Sequence, residues 1–315
     1  MAKDVTIVVI DPIHKDGIEI LQKHCKVIQL PAGATLKDLV AVADKAEAFI
    51  TRGFVKIPKT VLKRANKLRV IGVHGVGVDH IDMDFAQKIG IKIVRTPEAL
   101  TDTVAEFTVA LMLSVLRKIP IADAAVREGH WDRKFSSLVG VDLKGKTVGI
   151  IGLGRIGSAV AKRLKAFDVD LVYYKRVRDL QLEKQLGARY VTLKQLLKMS
   201  DVISVHVPLT AQTFHMISRE EFSLMRKGVY IVNTSRGAVI DEKALYEALV
   251  SWKVSGAALD VFESEPLSRA SPLIGLENVV LTPHLAASSE EALKRMATTV
   301  AKEVIEALRS FQVRL

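Results

Sequence analysis

The run Val148-Gly-Ile-Ile-Gly-Leu-Gly-Arg-Ile-Gly157 constrains this chain more than any other stretch. An apolar segment ends at Gly152, glycines fall at Gly152, Gly154 and Gly157, and a helical pattern follows from Ser158 to Phe167. A strand, a glycine turn and a helix in that order build the start of a parallel βαβ unit. Each glycine has a separate job there: the first permits the tight turn, the second lets backbone approach a pyrophosphate, and the third lets helix and strand pack closely. The N-terminus of that helix would offer free N–H groups to the anion. Outside such a setting three spaced glycines would mean little. Here they predict a bound dinucleotide.

The rest of the chain supplies sheets on both sides of this turn. Strand-like runs at 5–10, 26–30, 48–51, 68–73 and 91–94 alternate with helical segments around 16–24, 36–45, 58–65 and 83–89. A long helical stretch spans about 102–128. A second series then follows, with strands at 147–151, 170–174, 202–207, 229–233, 256–261 and 279–282, and the tail from 288 to 311 is again helical. Alternation of this kind predicts an α/β chain with two doubly wound parallel-sheet domains. The expected division is a flavodoxin-like substrate domain, residues 1–99 with 285–315, and an inserted Rossmann nucleotide-binding domain, residues 100–284. Ligands of open α/β sheets sit at the carboxyl ends of the strands, so the cleft between the two sheets is the expected active site.

Composition excludes several other classes. No apolar stretch is read as a membrane span, and the short strand from Val5, cut by Asp11-Pro12, lacks the length and flanks of a signal peptide. The single cysteine, Cys25, rules out an internal disulfide and fits a reducing cytoplasm. The formal net charge of +11 invites a nucleic-acid reading. Lysines and arginines are instead interleaved with acids along the whole chain, with no basic–aromatic stripe, so neither nucleic acid nor membrane is expected as a partner.

The full length resembles the D-isomer-specific 2-hydroxyacid dehydrogenases, a family that includes glyoxylate/hydroxypyruvate reductases and phosphoglycerate dehydrogenase. The likeness rests on Gly75-Val-Gly-Val-Asp-His-Ile-Asp82, Leu100-Thr-Asp-Thr-Val-Ala-Glu-Phe107, the glycine fingerprint and His206-Val-Pro-Leu-Thr210. It continues through Asn233-Thr-Ser-Arg-Gly237, Ala258-Leu-Asp-Val-Phe262 with Glu265-Pro266, and Thr282-Pro-His284.

The resemblance implies a catalytic set of Arg236, Glu265 and His284. A guanidinium at Arg236 suits a substrate carboxylate, and it can polarise the neighbouring carbonyl. An imidazole at His284 exchanges a proton near neutral pH. Glu265 would pair with it and hold its orientation. Taken singly, each has a plain alternative: a strand-end arginine satisfying carbonyls, a solvated loop acid, and a buried core histidine. Backbone N–H groups of Val76 and Gly77 are expected to meet the substrate carboxylate. Arg52, in Ile-Thr-Arg-Gly, matches one of the arginines that phosphoglycerate dehydrogenases bring to a phosphate. A second such position is occupied by Val73.

Cofactor contacts are implied at Gly152, Gly154, Arg155, Ile156 and Gly157, at His206, Val207, Pro208 and Thr213, and at Thr234, Ser235 and His284. Asp260 would bond the nicotinamide carboxamide. Where NAD-preferring relatives read Tyr-Asp, this chain reads Tyr174-Lys175, followed by Arg176, Val177 and Arg178. Cations at Lys175, Arg176 and Arg178 could grip a 2′-phosphate that an acid would repel, so NADP(H) is favoured, with NAD(H) the alternative. Ala286 stands where relatives often have glycine.

The reading that follows is reduction of a small 2-oxo acid, glyoxylate or hydroxypyruvate, with oxidation of 3-phosphoglycerate as runner-up. No regulatory domain is read after the last helix. A dinucleotide-sensing corepressor shares the fold, but such proteins add long tails that are not visible here. The resemblance implies a homodimer joined through the nucleotide-binding domain; the helix from Thr108 to Leu116 is apolar around much of its circumference, as at such an interface, although a helix buried within one subunit would look the same.

Overall fold

Two parallel sheets organise the protein in a computed structural model that describes residues 5–311. The first holds β1 (Thr6–Val9), β2 (Lys26–Gln29), β3 (Ala48–Thr51), β4 (Val70–Val73) and β5 (Lys92–Arg95), in the order β2-β1-β3-β4-β5. This is the flavodoxin-like order, with its switch point between β1 and β3. The second holds β6 (Thr147–Ile151), β7 (Asp170–Tyr174), β8 (Arg189–Tyr190), β9 (Val202–Val205), β10 (Val229–Asn233), β11 (Val254–Leu259) and β12 (Val279–Leu281). Its order, β12-β11-β10-β9-β6-β7-β8, is the Rossmann arrangement extended by one strand.

Burial explains why these runs are apolar throughout. In β3, β4 and β9 every residue is buried, because helices cover both faces of a parallel sheet. The edge strands β2 and β5 expose their ends.

The chain forms two units, residues up to Leu100 with those from Ser288 onward, and Thr101–Ala287. The second crossing point falls three residues beyond the expected 284. The reason is local: the N–H groups of Leu285 and Ala286 donate to the Asp260 carboxylate at 2.8 Å each, which ties that loop to the second unit.

Three local readings need correction. The long helical stretch is two helices, Pro97–Leu116 and Ile119–Arg127, separated by Lys118 in a left-handed conformation at φ 56°. Pro120 cannot continue the ladder of the first helix, so the break lies just before it. The short strand β8 has too few residues for its alternation to register. Finally, Pro97–Leu116 is long and apolar enough, by length and composition, to cross a membrane. Its Met112, Val115 and Leu116 pack with Val148, Ile150 and Leu153 in the core of the second unit.

Candidate active site

The glycine turn after β6 has the shape of an anion cradle. Gly152 adopts φ 99°, and a Cβ there would lie 2.7 Å from the His206 carbonyl oxygen. At Gly157 a Cβ would lie 2.2 Å from the Gly152 carbonyl oxygen, so any side chain would push the helix off the turn. A Cβ on Gly154 would meet nothing within 4 Å. Gly154 caps the ten-residue helix Arg155–Leu164. Open space in front of free helix N–H groups is what a dinucleotide pyrophosphate requires, and the residues present fit that group.

Along the same edge, His206 follows β9. Its Nε2 is 2.8 Å from the Ser204 hydroxyl, and burial pushes the imidazole down to about 4, so it is neutral at physiological pH. Val207 and Pro208 continue the loop. The Thr213 hydroxyl is occupied within it, donating to the Pro208 carbonyl at 2.6 Å and accepting from the Thr210 N–H at 2.8 Å.

Beyond β10 the chain makes a tight turn around the buried Asn233. Asn233 Oδ1 accepts from the N–H and the hydroxyl of Ser235, at 3.0 and 2.8 Å, and its Nδ2 donates to the Arg236 carbonyl at 2.9 Å. The Thr234 hydroxyl lies 2.8 Å from that of Thr108, on the long helix. Gly237 presses this turn against the end of the next strand segment. A Cβ there would lie 1.8 Å from the Phe262 carbonyl carbon, which no side chain could satisfy. Arg236 is thereby carried close enough for its charge to act on Glu265.

His284 sits just past β12. Its Nδ1 is 2.7 Å from Glu265 Oε2, and Glu265 Oε1 accepts the Phe262 N–H at 3.1 Å. Burial opposes ionisation of Glu265. The hydrogen bond and charge of His284, the Phe262 N–H and the charge of Arg236 outweigh it, and the carboxyl titrates below its ordinary value. Nδ1 therefore faces a carboxylate, which leaves Nε2 for chemistry.

Asp260 has a role the sequence did not disclose. It is fully buried, and its carboxylate accepts the Thr282 hydroxyl at 2.6 Å and the N–H groups of Leu285 and Ala286 at 2.8 Å. Burial raises its pKa even against these three donors and the nearby His284. The His284 N–H donates to the Asp260 carbonyl at 2.9 Å, so one residue braces the loop on both sides of the imidazole.

The cations after β7 are not a simple row. Arg178 makes a two-pronged pair with Glu183, at 2.7 and 2.9 Å, and Lys175 lies 3.4 Å from Asp179. Arg176 is exposed and has no ion pair among the described residues.

In the first unit, the buried Asp11 accepts the N–H groups of Arg52 and Gly53, at 2.6 and 3.2 Å, and the Thr51 hydroxyl. The Arg52 guanidinium donates to the Pro12 carbonyl at 3.2 Å and covers the Phe54 ring. After β4, the Gly75 N–H is satisfied by Thr96. The N–H groups of Val76 and Gly77 have no partner among the described residues.

With this geometry in view, comparison with known proteins gives a consistent answer. The description "D-isomer specific 2-hydroxyacid dehydrogenase, NAD binding domain" fits residues 109–286. The chain is 47% identical to a glyoxylate reductase of Korarchaeum cryptofilum over 79% of its own length and 76% of that protein's. It is 45% identical to a D-3-phosphoglycerate dehydrogenase of Methanocaldococcus jannaschii over 97% of its length, but spans only 58% of that relative. Among solved structures, an NADPH-dependent glyoxylate/hydroxypyruvate reductase of Sinorhizobium meliloti, in complex with NADP and malonate, superposes with a TM-score of 0.87. The two are 31% identical, and the match covers 98% of this chain and 94% of that one. The chain belongs to the D-isomer-specific 2-hydroxyacid dehydrogenase family.

Proposed function

We propose that this chain is a D-2-hydroxyacid dehydrogenase that reduces a small 2-oxo acid, glyoxylate or hydroxypyruvate, and prefers NADP(H) over NAD(H). The observation that carries the reading is the Glu265–His284 pair, at 2.7 Å, on the loop braced by Asp260. The reduced nicotinamide, when bound, supplies the hydride to the carbonyl carbon. Arg236 holds the substrate carboxylate and draws charge onto the carbonyl oxygen. Glu265 accepts at Nδ1 of His284 and fixes the ring, so that Nε2 hands its proton to the oxygen as the carbon is reduced. In the oxidative direction the neutral ring takes that proton back. Val76 and Gly77, whose N–H groups have no partner among the described residues, contribute them to carboxylate binding.

The preference for NADP(H) rests on the absence of an acid at Lys175 and on the exposed Arg176. Oxidation of 3-phosphoglycerate is the second reading, favoured by the 45% identity to the Methanocaldococcus protein. Against it, the Arg52 guanidinium already spends one nitrogen on the Pro12 carbonyl, and Val73 brings no charge. A phosphate dianion needs several charge-assisted bonds to offset its desolvation.

A homodimer is also part of the reading. Trp131, Phe135 and Val139, within one short segment, are 63%, 80% and 62% exposed, large apolar side chains that a second copy would cover. Light scattering that returned a monomeric mass would remove this element.

Initial rates decide among the substrates. NADPH and NADH oxidation should be measured side by side with glyoxylate, hydroxypyruvate and 3-phosphohydroxypyruvate. Faster NADPH oxidation with the two small acids is expected. Preference for NADH and the phosphorylated acid would overturn both the cofactor and the substrate assignment.

A further inference from the structure

The segment from Lys175 to Glu183 carries three cations, and the structure also gives it two acids in fixed positions. Glu183 is anchored to the sheet. The fully buried Tyr173 donates its hydroxyl to Glu183 Oε1 at 2.8 Å, while both carboxylate oxygens engage the Nε and Nη2 of Arg178. The side chain of Glu183 is only 15% exposed, whereas that of Arg178 is 56% exposed. Asp179 is anchored too. Its Oδ1 accepts the Leu182 N–H at 3.1 Å, capping the helix Leu180–Leu186, and its own N–H donates to the Tyr173 hydroxyl at 3.1 Å. In both pairs the acid is held by the fold, and Arg178 also lies over the Tyr190 ring, 5.8 Å from its centroid.

An anion arriving at the end of β7 would therefore meet Lys175 and Arg178 with carboxylates already beside them. Either it shares each cation with a fixed negative charge, or the cation leaves its partner. Both routes reduce the gain from binding a dianion, because unlike charges at contact distance cancel much of each other's field. Arg176, without such a partner among the described residues, keeps its full charge.

We propose that Asp179 and Glu183 restrain cofactor selectivity: by holding Lys175 and Arg178 in ion pairs, they lower the affinity of this chain for a nucleotide 2′-phosphate. The proposal extends the NADP(H) reading, and it concerns how strongly the 2′-phosphate is preferred rather than which reaction follows. It assigns to two acids a role in a site whose cations alone would suggest an unrestrained grip.

The test is direct binding of two probes, 2′,5′-ADP and ADP, to the full chain by titration calorimetry, with no turnover involved. Selectivity is the ratio of the ADP to the 2′,5′-ADP dissociation constant. Glu183→Gln keeps the shape of the side chain and its contact with Tyr173, and Asp179→Asn keeps a capping oxygen. Each is expected to raise the ratio about tenfold at low ionic strength, and by less in 0.5 M salt (about a 4 Å screening length), with ADP affinity unchanged. An unchanged or lower ratio in both variants, with ADP still bound, would overturn the proposal, because the acids would then be positioning the cations for the phosphate. The NADP(H) reading fails on a different measurement, equal binding of the two probes by the unmodified chain. Retained ADP affinity separates either result from misfolding.

Discussion

Loop 282–286 and loop 174–179 leave the same edge of the seven-stranded sheet, the first held by a buried carboxylate and the second by ion pairs open to water. Around His284, Asp260 accepts three donors at 2.6 to 2.8 Å and exposes nothing. After β7, Arg178 is more than half exposed, and Lys175 meets its acid at 3.4 Å. The difference matches the role proposed for each loop. Proton transfer requires an imidazole fixed to a fraction of an ångström, and buried hydrogen bonds give that precision. Selecting between two nucleotides requires only a modest difference in field, which surface charges supply and salt screens.

The largest expected effect breaks the chemistry at the rigid loop and leaves the other loop untouched. His284→Ala should lower kcat by about a thousandfold, within the range for losing a general acid, while nucleotide affinity stays within about twofold. Stopped-flow turnover and nucleotide titration on the same preparation check both halves. A variant with full activity would remove His284 from the mechanism. A variant that had lost nucleotide binding would show that the imidazole also holds the cofactor.

Next comes the brace itself. Asp260→Ala leaves two backbone N–H groups and a threonine hydroxyl without their acceptor, at a cost of about 3 kcal/mol for buried donors left unpaired. The thermal midpoint should fall by several degrees, and kcat should fall even at temperatures where the variant is folded, because loop 282–286 loses its only buried acceptor among these three contacts. Glu183→Gln, an equal loss of one carboxylate charge at the solvated loop, should leave the thermal midpoint nearly unchanged, as surface pairs do. Equal destabilisation of the two variants would erase the contrast between the loops.

The same distinction between buried and exposed groups predicts the response to acid. His74, at the end of β4, is 4% exposed, and burial, with the charge of Arg52 nearby, lowers it to about 4. Its folded-state value lies below the unfolded value near 6.5, so above that pH the ring is neutral in both states and contributes nothing. As pH falls from about 6.5 toward 4, only the unfolded chain takes up the proton, and up to about 3 kcal/mol of stability is lost. Glu265, titrating below its ordinary value, works at lower pH: its contribution is present above about 4.5 and disappears as pH falls through its folded value. The midpoint of the wild-type chain should therefore drop more between pH 7 and pH 5 than that of His74→Asn. Parallel curves would mean that His74 is not protected from protonation.

Much of this was legible in the sequence, and the reasons differ by residue. Gly152, Gly154 and Gly157 announced their sheet because a strand–turn–helix leaves a fixed spacing. Arg236, Glu265 and His284 stood in motifs at strand ends, and the structure brings Glu265 and His284 to 2.7 Å. Asp260 was expected to bond the nicotinamide carboxamide and was not legible as a brace, since its three donors come from residues 22 to 26 positions further on. Asn233, which shapes the Arg236 turn, read as the end of an apolar strand. The acids opposite Lys175 and Arg178 were in plain view four and five residues downstream, but their pairing depends on how the turn folds back. Tyr173 looked like one more apolar strand residue, and its hydroxyl is what anchors Glu183. Periodicity reports which face a residue occupies; it does not report which hydrogen bonds close across a turn.

The smallest expected effect sharpens the contrast from the solvated side. Arg176 has no ion pair among the described residues, so under the proposed NADP(H) reading its charge would act on a 2′-phosphate without a competing carboxylate. Arg176→Ala should weaken 2′,5′-ADP binding by about fivefold at low ionic strength and leave ADP binding alone. Raising salt should close most of that gap between the variant and the unmodified chain, because an exposed charge is screened over roughly 8 Å at 0.15 M ionic strength. A gap that survived high salt would place Arg176 in a buried, directional contact of the kind found around Asp260, and the two loops would then be held by the same means.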